Sequence, residues 1–298
     1  MATSKSKGGA SGKPASGTAG KSAGKSASGG KAARPGTAAS GTAGAASAKG
    51  AAAPRFPVLY SNPVPVDFTR HKGKSFKAPT TFAYAARTNS VPVNVIEFPV
   101  AALDYVLAFA PGSEPIPVAV LGLRTSENLF VDRDGRWDPH SYLPAYIRRY
   151  PFIFMSRPDQ QLTLCIDETP ETVVAGNERP LVVDGKASPQ AEQALKFCQD
   201  YHSAGQQTHA FARKLVELDL LVDRAAAMDL GPDQRKISLG GLKVVSEARL
   251  GALDPATFAG LRERGFLTAI YAHLLSLNNL NKLGRRLNER LAAEKAAG

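Results

Sequence analysis

The side chains able to carry a catalytic or metal-binding set are few: five histidines, two cysteines and 26 acidic residues. His202 and His209 stand seven positions apart with Gly205 between them. Even on one helix they would lie two turns, about 10 Å, apart, too far to share a metal ion without other ligands. His71 and His140 are isolated in sequence, and no HExxH or H-x-H pattern occurs. His273, beside Tyr271, Leu274 and Leu275, reads as a packed, hydrogen-bonded core residue. Cys165 and Cys198 lie 33 positions apart, which excludes a CxxC motif and a disulfide framework and suits a reducing compartment. Cys165 falls in an alternating strand pattern, where a small buried apolar residue is the ordinary explanation. Asp167 and Glu168 are neighbours on that strand and point to opposite faces, so they cannot share acid/base work. Asp132-Arg-Asp134-Gly135 resembles part of a calcium loop, but Phe130 and Ser141 occupy the first and last ligand positions, and a tight turn accounts for it better. Gly-x-Ser-x-Gly is absent, and Gly20-Lys21-Ser22 and Gly24-Lys25-Ser26 have Ala15 and Ala19 where a phosphate loop needs glycine. No catalytic residue, metal ligand or cofactor site is expected.

Chemistry of recognition is better represented. From Glu127 and Asn128 to Tyr150 the chain gathers Asp132, its only tryptophan (Trp137), Tyr142, Tyr146, Tyr150 and the pair Arg148-Arg149. Aromatic rings beside arginine suit a binding surface for a protein, peptide or glycan partner. The alternative, which the scarcity of aromatics favours, makes Trp137 and Tyr150 core anchors with Arg148 and Arg149 on a solvated flank.

Proline usage shows which elements must position these residues. Fifteen of the 18 prolines after residue 55 fall between Pro57 and Pro180. The remaining three, Pro189, Pro232 and Pro255, each follow Ser, Gly or Asp, as at a helix's first position. An α+β fold follows, with a proline-rich, mainly antiparallel β front half (56–187) packed with a helical rear half (188–298). Strands are expected over Val91–Phe98, Val118–Leu123, Leu162–Ile166 and Leu181–Val183, and a hairpin over Asn128–Trp137 turning at Asp134-Gly135. Asp184-Gly185 marks a second tight turn. Short helices are expected over Leu103–Phe109 and Tyr142–Tyr150. In the rear half, one helix should run from Ser188-Pro189 to about His202 and a second through Phe211, Leu215, Leu218 and Val222. Leu242–Val245 reads as a brief strand, and Asp254-Pro255 caps a further helix. The apolar stripe from Leu267 through Leu277 to Leu287 reads as one long terminal helix, its stripe packed on the core.

Charge is unevenly placed. Residues 1–55 carry Lys5, Lys7, Lys13, Lys21, Lys25, Lys31, Arg34, Lys49 and Arg55 and no acid, whereas 56–281 hold 23 basic and 24 acidic residues, a net of −1. Most of the formal +11 therefore belongs to a low-complexity Ala/Gly/Ser/Lys tail. That tail lacks the apolar side chains needed to offset ordering and reads as disordered. Its cations suit weak, salt-sensitive attachment to polyanions, nucleic acid included, or a solubilising role. No apolar run approaches the roughly 20 residues of a membrane span, and no h-region follows the charged start. Cytoplasmic residence is expected, with signal-independent export to the cell surface as the alternative.

The order of several short motifs resembles the SapC family. These are Val93-Asn-Val-Ile-Glu97-Phe98, the Pro117–Leu123 element, Glu127–Val131, the Asp134–Trp137 turn, Tyr142–Phe152, Ile166–Glu168, Val183–Gly185 and Ile270–Leu277. The resemblance covers about residues 57–288 and leaves the tail outside. It implies association with a bacterial surface layer and transfers no catalytic residue; the peptide-transport permease of the same label is excluded by the lack of any span. The first expectation is a non-enzymatic bacterial interaction protein acting through the Trp137/Arg148 face. The alternative is an enzyme or enzyme accessory acting on a peptide, which needs Glu127, Asp132 and His140 to converge with Asp167 or Glu168.

Overall fold

A computed structural model describes residues 56–156, 161–228 and 237–297. The tail cations from Lys5 to Lys49, and the disorder expected of 1–55, lie outside the described residues. The front half contains β1 (Pro63–Pro65), β2 (Lys74–Phe76), β3 (Ser90–Pro92), α1 (Phe98–Ala101), β4 (Val106–Ala110) and β5 (Ile116–Val120). It continues with α2 (Ala145–Arg148), β6 (Phe152–Ser156), β7 (Leu162–Asp167), β8 (Val173–Ala175), β9 (Val182–Val183) and β10 (Lys186–Ala187). The rear half contains α3 (Pro189–Glu217), β11 (Leu221–Met228), β12 (Ile237–Val245), α4 (Glu247–Gly251), α5 (Pro255–Glu263), α6 (Phe266–Ser276) and α7 (Asn279–Ala297). The fold is the expected α+β arrangement of antiparallel sheets in front and helices behind.

Five strands form the main sheet in the order β11-β12-β4-β5-β3, all antiparallel. The rear half thus lends a hairpin to the front half's sheet, Lys243 of β12 pairing with Phe109 of β4. A smaller sheet, β1-β7-β6, and the hairpins β2-β8 and β9-β10 complete the β structure. Phe109, fully buried on β4, meets Phe211 of α3 and His273 of α6, while Phe98 and Phe266 stack edge-on against Phe211. Each such aromatic pair adds about 0.5–1.5 kcal/mol beyond its buried area. A second cluster, Phe152, Ile166, Leu181 and Cys198, seals the small sheet against α3.

Several expected elements are drawn differently. Leu103–Phe109 is not a helix: Val106–Ala110 is β4, a central strand. A continuous apolar run of that length satisfies both faces of a covered strand as well as a helix, so periodicity does not decide it. Val91–Phe98 divides at Asn94 into β3, a single 3-10 turn over Val95–Glu97, and α1. The Asn128–Trp137 hairpin reduces to the Val131–Trp137 bridge around its turn, where Gly135 takes φ 77°. At Asp184-Gly185 both φ values are positive, 49° and 70°, as a tight two-residue hairpin requires. The two helices expected across 188–222 are one helix of 29 residues, and Val222 belongs to β11. Gly205 does not break it: a Cβ there would meet only Asn94 Oδ1, at 3.8 Å. Leu242–Val245 is the end of the nine-residue β12. The long terminal helix divides near Leu277-Asn278, where Asn279 turns inward to donate to the Ala102 and Tyr105 carbonyls. Asp254 caps α5, accepting from the Ala256 and Thr257 amides.

Candidate functional site

The arginine pair is placed by a buried carboxylate. Glu97, 5% exposed, accepts from its own segment's Asn94 N–H (3.0 Å) through Oε2. Its Oε1 accepts from the Tyr142 hydroxyl and the Ala145 N–H, both 2.8 Å. The Ala145 N–H begins α2, so one side chain ties the 94–97 turn to the start of the helix that carries Arg148 and Arg149. That helix is a single turn with Ala145, Tyr146 and Ile147 buried. Successive residues on a helix diverge by about 100°, and the two arginines part accordingly.

Arg148 is exposed and lies over the rings of Tyr142 (5.9 Å) and Phe197 (5.5 Å). It donates to the Leu143 carbonyl (3.1 Å) and the Tyr142 hydroxyl (3.2 Å), and so reaches Glu97 only through that hydroxyl. Arg149 turns inward. Its guanidinium carbon sits 4.2 Å from the Tyr146 ring centroid, 4.4 Å from Tyr201 and 5.7 Å from Tyr60. Nε is buried without a hydrogen-bond partner, and among the described residues no carboxylate stands within ion-pair distance of either arginine. Burial pushes the Tyr60 and Tyr201 phenols up, so they remain neutral and offer ring faces to the cation. The Cys198 thiol beside them is pushed up to about 11 by burial, Arg149 pulling weakly the other way. It is a neutral thiol at pH 7, without the thiolate a nucleophile needs.

An arginine held by aromatic faces and lacking a counter-charge has the chemistry to receive an anion. Cation–π contact offsets part of the desolvation cost, and with the Tyr60 and Tyr146 hydroxyls engaging part of the guanidinium, Nε is the donor left without a partner. Tyr60, Phe197, Cys198 and Tyr201 are missing from the sequence-derived cluster because β1's approach and α3 bring them from 48 or more positions away. The helical spacing of Phe197 and Tyr201 on α3 is the one signal that could have pointed to them.

The other residues of the cluster are drawn apart. Trp137, 8% exposed, lies near-parallel to Phe130 (6.1 Å) and edge-on to Phe82, so it is a core anchor and offers no face to a partner. Glu127, also 8% exposed, pairs with Arg124. Asn128 is buried, donating to the Ala85 carbonyl and accepting from the Phe130 N–H. Asp132 accepts from the Asp134 and Arg136 amides and holds the turn. Tyr146 donates to the Val58 carbonyl (2.8 Å). Tyr150 stacks on Tyr84 (4.1 Å between centroids) and donates to Asp167 at 2.9 Å. Those two tyrosines and Asp167 help line a hollow of about 510 Å³. Asp167 also accepts from the Ser61 amide and hydroxyl and the Asn62 amide, so its lone pairs are spent inside the protein. Glu168, expected on the same strand, lies one residue past the end of β7 and pairs with Arg70 and Lys74.

The His140 N–H donates to Asp138, and none of Glu127, Asp132 and His140 lines the hollow that Asp167 does, so the arrangement the enzyme alternative needed is not formed there. Nor, among the described residues, does any group of three or more His, Cys, Asp or Glu side chains stand ready to hold a metal ion. No described helix is long and apolar enough to cross a membrane.

The family model described as SapC matches residues 66–283, a span that contains β2 through α6, the start of α7 and both arginines. No curated protein and no solved structure matches the chain.

Proposed function

The chain belongs to the SapC family, and from that premise we propose that its folded domain is a non-enzymatic interaction module of the bacterial envelope, recognising a carboxylate-bearing peptide or acidic glycan of the surface layer through Arg148 and Arg149. The observation that carries this is the Arg149 guanidinium lying between the Tyr146 and Tyr201 rings with an unpaired Nε. A cation buried only to stabilise the fold would be expected to have a carboxylate beside it. Arg148, one helical step away and exposed on its own pair of rings, supplies a second donor fork at the surface. Trp137 has no part in this reading, because its ring is consumed by the core.

The test uses the full chain as bait against a solubilised envelope fraction, with an oligoglutamate peptide and polygalacturonate as defined competitors. Capture should fall when Arg148→Ala and Arg149→Met are combined, and either competitor should displace the wild-type catch. Capture that survives the double substitution in a folded protein refutes the reading.

A further inference from the structure

A second surface is built by the 95–103 segment and α6. Ile96, Val100 and Leu103 keep helical spacing and are 61%, 40% and 65% exposed. Tyr271 and Leu275 of α6 are 47% and 68% exposed. The two runs lie side by side. At one end Ile96 and Pro99 share a hollow with Thr268 and Ala269. At the other, Asn279 binds the carbonyls of Ala102 and Tyr105, and the Lys282 ammonium donates to the Leu103 carbonyl at 3.0 Å. The result is a strip of protruding apolar tips about 10 Å long, judged from the rise of α6 between Thr268 and Leu275. Single exposed apolar side chains are ordinary on a protein surface, whereas several gathered on one strip mark a contact.

The charge at the Leu103–Leu275 end of the strip has one sign. From Arg264 to Asn288 the chain carries four arginines and lysines and no acid. Lys282 and Arg285 are exposed and Arg286 is paired with Asp138, while Arg264 at the other end stands beside Glu217 and next to the exposed Glu263. Across the strip, Glu97 is buried on its three donors and Asp104 accepts from the Tyr142 N–H at 2.8 Å. Neither turns a free carboxylate outward.

We infer that this strip docks on an anionic phospholipid surface. The tips of Ile96, Leu103 and Leu275 enter the boundary between headgroups and acyl chains, and Lys282 and Arg285 meet the lipid phosphates. Projecting tips fit a fluid surface that closes around them, whereas a protein partner would need a matching set of pits. The exposed cations Lys282 and Arg285 beside the Leu103 and Leu275 tips complement a uniformly negative surface. The nine basic residues of 1–55, also without an acid, add attraction of the same sign.

Vesicle flotation of the full chain tests this, using vesicles of phosphatidylglycerol with phosphatidylcholine against phosphatidylcholine alone. Wild type should float with the anionic vesicles and stay behind with the neutral ones. Leu103→Glu with Leu275→Glu, both at exposed positions, should lower the partition coefficient by at least about ten-fold, with an unchanged circular-dichroism melt. Lys282→Gln and Arg285→Gln should each cost about five-fold. Absence of flotation overturns the inference. So does flotation unaffected by all four changes and abolished when the lysines of 1–55 become glutamine, which would assign binding to that segment alone. A concentration-dependent dimer that the glutamate pair dissolves, with no vesicle binding, overturns it in favour of a second copy.

Discussion

Replacing Arg149 by methionine separates a receptor from a structural cation by magnitude as well as by sign. Methionine keeps an unbranched apolar stem of similar reach and removes the charge. Two losses and one gain follow. The rings of Tyr146 and Tyr201, at 4.2 and 4.4 Å, lose their cation–π contacts, each about 0.5–2 kcal/mol depending on desolvation. Against roughly 1–4 kcal/mol lost, the fold no longer desolvates a guanidinium whose Nε has no partner, a cost of several kcal/mol for a buried ion. The terms nearly cancel, so the unfolding free energy of Arg149→Met should stay within about 1 kcal/mol of wild type or rise. Urea denaturation followed by circular dichroism measures this, and titration with oligoglutamate run in parallel should show binding lost. Had Arg149 an internal counter-charge, breaking the pair would cost about 3–5 kcal/mol. A loss of that size refutes the receptor argument whatever the binding result.

Three further outcomes follow from the packing. Gly205→Ala should stabilise the protein by about 0.5–1 kcal/mol and raise its melting temperature by about 2 °C, because the new methyl only touches Asn94 Oδ1 at 3.8 Å; a lower melting temperature would mean that α3 and the 94–97 turn are closer than that distance implies. Burial lowers His273 to about 4 from about 6.5 in the unfolded chain. The unfolded state therefore holds more protons between those values, and stability, complete above about pH 6.5, falls as pH drops toward 4 by up to about 3 kcal/mol. His273→Gln, which keeps an acceptor for the Val245 N–H, should lose that part of the pH dependence in urea melts at about pH 7 and about pH 5, and an unchanged slope would refute the assignment. Glu97→Ala strands the Asn94 N–H, the Ala145 N–H and the Tyr142 hydroxyl, a cost on the order of 4 kcal/mol; Glu97→Gln should cost less and still weaken ligand binding by releasing α2, while full binding would show that the helix holds its place without the carboxylate.

The fold class was legible because its signals are local. Prolines crowd a half made of short strands, and Ser188, Asp254 and Asp184-Gly185 carry the cap and turn chemistry that α3, α5 and the β9-β10 hairpin use. Where the expectation failed, tertiary contact had outweighed local preference. Gly205 lowers helix propensity by about 1 kcal/mol, but Phe211, Leu215 and Cys198 on either side bury α3 on the core. Val106–Ala110 is apolar on both faces because a central strand is covered twice, and no periodicity distinguishes that from a short buried helix.

Sequence proximity misled at the site for a related reason. The stretch 127–150 is dense in aromatics because it threads repeatedly between core and surface, so neighbours in the chain serve different purposes. Trp137 closes the core beside Phe130 and Tyr150 steers toward Asp167, while Arg148 and Arg149 have no carboxylate partner among the described residues. Their adjacency, which in sequence reads as a doubled positive charge on one flank, becomes a division of labour once a helical turn separates them. One guanidinium meets solvent over Tyr142 and Phe197, and the other is held by Tyr146 and Tyr201. The ring that completes this box comes from Tyr201, 52 positions beyond Arg149 on a helix whose continuity the sequence argued against. With two helices in place of α3, Phe197 and Tyr201 would have had no fixed relation to Phe211 and the core. The continuity of α3 therefore helps hold the Tyr201 ring against the Arg149 guanidinium.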